Sequence, residues 1–151
     1  MAIIKPNNNT ISAITALPAS ISTGKVLQAV TSTTQTQSNT TSTSFVATAL
    51  NANITPSSTS SKILVIVAFS AYASADGRAT IYRDSTNLYD SVKGHAAYNG
   101  DVFISSSTLD SPNTTSQVTY TVYQNAASSG TTYFLPASNL TATMTLLEVG
   151  A

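Results

Sequence analysis

Residues 118–123 read Val-Thr-Tyr-Thr-Val-Tyr, and residues 141–149 read Thr-Ala-Thr-Met-Thr-Leu-Leu-Glu-Val. Side chains that alternate with a period of two suit a strand buried on one side, whereas a helix would scatter the same apolar residues around its axis. Helical spacing is confined to Ile11, Ile14, Leu17 and Ile21, one or two turns that Pro18 would stop. Further β-rich runs lie at 25–33, 45–50, 62–72, 78–83, 88–92, 101–106 and 131–135, separated by Gly, Pro, Asn and Ser. Short strands at such spacing indicate an all-β chain, an antiparallel β-sandwich of jelly-roll type with about eight strands.

Three local readings accompany this fold. Asp76-Gly77 and Asn99-Gly100 are expected to be hairpin turns, because both dipeptides tolerate positive φ. Residues 34–44, TQTQSNTTSTS, rich in β-branched Thr, can be an edge strand or a loop and are expected to be a loop, and 53–61, NITPSSTSS, a turn. Residues 62–72, KILVIVAFSAY, are apolar at odd and even positions alike, which fits a strand buried on both faces. The Ser/Thr clusters recur without a fixed period, against a solenoid or propeller. Residues 1–24 carry Ile3, Ile4, Ile11, Ile14 and Leu17 between prolines and an Asn run, and read as an extended docking arm ahead of a sandwich at 25–151.

Composition narrows the function. Six cations and six acids balance to zero net charge in 151 residues, while Ser and Thr make up nearly a third of the chain. A surface of hydroxyls without net charge gives little protection against association, so the chain is expected to assemble. The cations stand singly, without the basic stripe of a nucleic-acid binder. The longest apolar run, 63–69, is far shorter than the roughly 20 residues of a membrane span, and Pro6 with Asn7, Asn8 and Asn9 interrupts the apolar core a signal peptide needs.

Reactive chemistry is sparse. The chain has no Cys, and any serine triad or imidazole metal site would depend on its one histidine, His95, which has no G-x-S-x-G elbow beside it and reads as a solvated loop residue. Asp76, Asp84, Asp90, Asp101 and Asp110 are scattered, and only Asp84 and Asp90 suggest a pair that a glycosidase could use. Calcium suits Asp and Asn oxygens better than zinc does, but no EF-hand loop occurs. No enzyme, no cofactor and no metal are expected. The glycosylation sequons at Asn8, Asn39, Asn53, Asn113 and Asn139 are expected by chance in such a composition.

The opening MAIIKPNNNTISAITALP, the block TSTSFV at 42–46 with ITPSSTSSKILV at 54–65, LDSPNT at 109–114 and the closing TATMTLLEV at 141–149 resemble small virion proteins of tailed bacteriophages of marine bacteria and cyanobacteria. That resemblance implies a structural or fibre-like component of the virion, and the outer surface of the particle is its expected place. The strand order is similar in architecture to trimeric jelly rolls of the C1q and tumour-necrosis-factor type. This second likeness implies a homotrimer with the C-terminal strand near its axis, and with Tyr120, Tyr123, Tyr133 and Phe134 as candidate contacts between protomers, unless half of them are core.

The expected role is capsid decoration or a head fibre, docked through the arm on the major capsid protein or another virion protein. The alternative is a tail-fibre or receptor-binding module that recognises host surface glycan through Tyr89 and Tyr98, which the Gly turns would display while Tyr72 and Tyr82 end core strands.

Overall fold

The computed structural model of the chain describes residues 25–89, 95–135 and 137–150, and for 95–99 the backbone alone. The expected arm, with Ile3, Ile4, Ile11, Ile14 and Leu17, lies outside the described residues, as do Asp90 and the side chains of His95 and Tyr98. The rest is an all-β, jelly-roll-like antiparallel sandwich that nearly closes into a barrel. Its strands are β1 (Val26–Thr34), β2 (Ser38–Thr40), β3 (Val46–Ile54), β4 (Lys62–Arg83), β5 (Thr86–Asn87), β6 (His95–Asp110), β7 (Val118–Ala126), β8 (Thr132–Phe134) and β9 (Ala142–Val149).

β4 organises them. One of its edges pairs with β6 from Ile63 to Ala79. The other edge takes β9 at 62–68, then β8 at 71–73, then β7 at 77–83. The first half of β4 therefore lies in a layer ordered β1-β9-β4-β6, and the second half in a layer where β7 joins it to β3. Between the halves the register with β6 slips at Ala73 and Asp76, a bulge that bends the strand from one layer to the other. Inward side chains from both layers fill the core: Ile63, Val65, Val67, Phe69, Met144 and Leu146 from the first, and Leu50, Ile54, Ile81, Val118 and Val122 from the second.

Two expected turns are absent from this architecture. Asp76-Gly77 and Asn99-Gly100 lie inside β4 and β6, and neither glycine has positive φ. Gly77 is instead a point of close approach: a Cβ there would collide with Thr132 Oγ1 and stand 2.7 Å from Ala73 Cβ. The turn leaving β4 begins at Asp84, whose φ of 50° is left-handed and whose carboxylate accepts the Thr119 N–H at 2.9 Å. The expected 34–44 loop contains β2, and the run expected as a strand at 88–92 opens with a turn at Leu88 and Tyr89, its described residues.

Glu148 ties the first layer to the β3–β4 loop. It has no exposed surface and no cation among its described partners. One carboxylate oxygen accepts the Ser57 hydroxyl at 2.6 Å and the Ser57 N–H at 2.7 Å, and the other accepts Gln28 Nε2 at 2.6 Å. Gln28 Nε2 also donates to the Thr55 carbonyl at 2.7 Å, joining β1 to the same loop. Burial by itself raises the pKa of Glu148. The donors from Ser57 and Gln28 outweigh it, helped by the buried Ser61 hydroxyl, which forms no geometrically complete hydrogen bond, and hold the carboxyl down at about 2.

Two predictions follow from these contacts. Gly77→Ala is expected to cost about 1–3 kcal/mol through overpacking against Thr132 and Ala73, read by urea denaturation. For Glu148, a folded pKa of about 2 against an ordinary 4.5 stabilises the ionised fold. The full contribution, about 3 kcal/mol, is present above pH 4.5 and is lost as the pH falls through 2. Thermal melts from pH 6 to 2 are expected to show that loss, and Glu148→Gln is expected to start less stable and to lose less over the same window.

Candidate interaction face

Because side chains alternate along a strand, β4 turns Leu64, Ile66, Ala68, Ser70 and Tyr72 away from the core. The registers extend this outer face across four strands. Leu64 sits between Leu147 of β9 and Leu109 of β6, with Ala29 of β1 beyond Leu147. Ile66 sits between Thr145 and Ser107, Ala68 between Thr143 and Ser105, and Ser70 opposite Phe103. Phe103 is 70% exposed, Leu109 54% and Ile66 36%, while Leu64 and Leu147 are half-buried.

No charged side chain stands in these rows. Lys62 bounds them at one end and Asp101, opposite Tyr72, at the other. The layer is roughly 15 Å wide. It ends at β6, which pairs with β4 alone among the described strands and leaves its outer backbone edge open. Long edges are ordinarily blunted by charge or proline. From Val102 to Leu109, β6 carries neither. Leu109 and Ile66 at one end and Phe103 at the other are exposed apolar residues set among Ser and Thr on a face without charge, and such exposure makes this face the candidate contact site.

The earlier candidates distribute differently. Tyr120 and Phe134 are buried in the chain's own core at 0% and 1% exposure, so neither is presented to a second protomer. Phe134 packs on Phe69 with ring centroids 5.2 Å apart. The Tyr120 hydroxyl donates to Asp110 at 2.7 Å, and Arg83 Nη1 donates to both oxygens of the same carboxylate at 2.7 and 2.8 Å. Burial first, and then the Asp110 contact, push the Tyr120 pKa far above the tyrosine range, so it remains a donor.

Tyr123 and Tyr133 are half-buried. Tyr123 stacks on Tyr82 at 4.1 Å, and Tyr133 lies against Tyr72 at 5.6 Å. Tyr72 falls inside β4 rather than ending a strand. Tyr89, expected on display, is half-buried against the core, with its hydroxyl 3.0 Å from the Ser106 hydroxyl and 3.3 Å from the Ser107 carbonyl. Of the acids once paired as candidates, Asp84 is engaged by Thr119.

The residues that build the face were not singled out in the sequence, although a signal was present. The run at 62–72 is apolar on both sides because one side fills the core and the other is presented outward. No known protein family matches the chain, and neither does any curated protein.

Phe103 makes little of its surface available to the fold. Phe103→Ser is expected to change stability by no more than about 0.5 kcal/mol, whereas Phe69→Ala in the core is expected to cost about 3–5 kcal/mol. Chemical denaturation of both variants at low protein concentration checks the contrast.

Proposed function

We propose that the chain is a non-enzymatic bacteriophage virion structural protein on the exterior of the particle, a capsid decoration or head-fibre protein that works as a homotrimer. The observation that carries the reading is the outer face of β1-β9-β4-β6, which is free of charge and exposes Phe103, Leu109 and Ile66 among Ser and Thr. A free monomer would leave Phe103, Leu109 and Ile66 in water, and burying them against a second copy removes that cost. The virion assignment draws on the resemblance of the two ends of the chain and the Lys62 region to phage structural proteins. Residues 1–24, with their five apolar anchors, supply the contact to the major capsid protein or another virion protein in this reading.

The test has two parts. Light scattering of the full chain is expected to give a trimer mass, and Phe103→Lys with Leu109→Lys is expected to give a folded monomer. Cryo-electron microscopy of particles is expected to find the chain at regular positions on the capsid surface. A monomeric parent chain would remove the assembly reading, and density at the tail alone would remove the decoration reading.

A further inference from the structure

At the far end of the outer face from Leu64, a cleft of about 200 Å³ opens between β2 and β8. It is lined by Gln37, Ser38, Asn39, Tyr133 and Leu135. We propose that this cleft binds one unit of a neutral carbohydrate. The inference moves sugar recognition away from Tyr89 and Tyr98, where the sequence suggested it.

The framework is fixed by the backbone. Asn39 pairs with Tyr133 across β2 and β8, and Tyr133 pairs with Tyr72 of β4, so the three occupy one cross-strand row. Leu135, at the end of β8, holds a left-handed φ of 54°, a strained conformation for a residue with this side chain. Its N–H donates to the Ser70 carbonyl at 2.9 Å and its carbonyl accepts Gln37 Nε2 at 3.0 Å, so the strained residue is pinned from both sides. The Ser38 hydroxyl accepts Gln124 Nε2 at 3.0 Å, which fixes the floor of β2 to β7.

The polar groups left over point to the ligand class. Among the described residues the Asn39 amide and the Tyr133 and Tyr72 hydroxyls form no hydrogen bond, and Gln37 bonds through Nε2 and not through its side-chain carbonyl oxygen. Tyr133 adds an aromatic ring steadied by Tyr72 at 5.6 Å. A pyranose offers the complement: a C–H face that packs on an aromatic ring, and an edge of hydroxyls that donate to and accept from amides and phenols. The lining contains no charged side chain, so nothing in it would hold a phosphate, a sialic acid or a nucleic-acid backbone. The volume lies below the roughly 300–1,000 Å³ of sites for drug-sized molecules and suits a single ring, with a longer glycan extending into solvent.

The test is a titration of the isotope-labelled full chain, followed by backbone amide chemical shifts, with galactose, glucose, N-acetylglucosamine and sialic acid in turn. At least one neutral sugar is expected to give saturable shifts confined to Gln37, Ser38, Asn39 and residues 132–135, with a millimolar Kd typical of so small a ligand. Tyr133→Ala is expected to weaken that binding by about tenfold or more. Asn39→Ala, at an exposed position that leaves the fold intact, is expected to weaken it severalfold, and Tyr89→Phe is expected to leave it unchanged. Absence of saturable shifts with every neutral sugar, shifts centred elsewhere, indifference to Asn39→Ala, or sialic acid binding as well as the neutral sugars would each overturn the proposal.

Discussion

Five of the other eight strands hydrogen-bond to β4, and both layers of the sandwich share it. A 22-residue strand cannot stay straight inside a small sandwich, because the layers on its two halves face each other across the core. The bulge between Ala73 and Asp76 resolves that conflict. Close to it, Gly77 lets β8 approach more nearly than any side chain would permit, so the residue that resembles a turn former is the one that keeps a long strand continuous. The position of β8 then follows from β4, and with it the cleft between β8 and β2.

A chain with so few charges places some of them where they are costly. Glu148 is fully buried and, among the described residues, is held ionised by hydrogen bonds without a cation, and Asp110 gathers Arg83 and Tyr120 at the edge of the core. Burying a carboxylate without a cation is tolerable only where donors are already in place. The Ser57 hydroxyl and N–H and the Gln28 amide meet that condition because β1, β9 and the β3–β4 loop converge there. The charges therefore fasten loops to layers, and the outer face of the first layer is left neutral.

The period-two alternation in β7 and β9 and the apolar run in β4 made the all-β antiparallel sandwich legible, since strand identity depends on local spacing. What local spacing cannot carry is pairing. Asp76-Gly77 has the chemistry of a hairpin turn, and the strand runs on there because Gly77 pairs with Ala97 of β6 on one side and Ala126 of β7 on the other, partners distant in the chain. The Thr-rich stretch at 34–44 carries no apolar signal of its own, and β2 forms there because β8 offers it an edge. By contrast, Tyr120 and Tyr123 lie an odd number of residues apart on β7, so alternation alone assigns them to opposite faces, and Tyr120 is core while Tyr123 is half-buried.

The apolar face illustrates the same limit from the other direction. Leu64, Leu109 and Leu147 are distant in the chain and join one row only through the registers of β4 with β6 and β9. An apolar run with no polar alternation has two physical solutions: a second layer of the same chain covers the other side, or something outside the chain does. Among the described residues the second layer lies on the Ile63, Val65 and Val67 side, and Leu64 and Ile66 have none. The open edge of β6 adjoins this face, and the two most exposed apolar residues of β6, Phe103 and Leu109, stand along it. A partner that covered the face would also shield that edge, so one contact would answer both the exposed apolar area and the unpaired backbone groups.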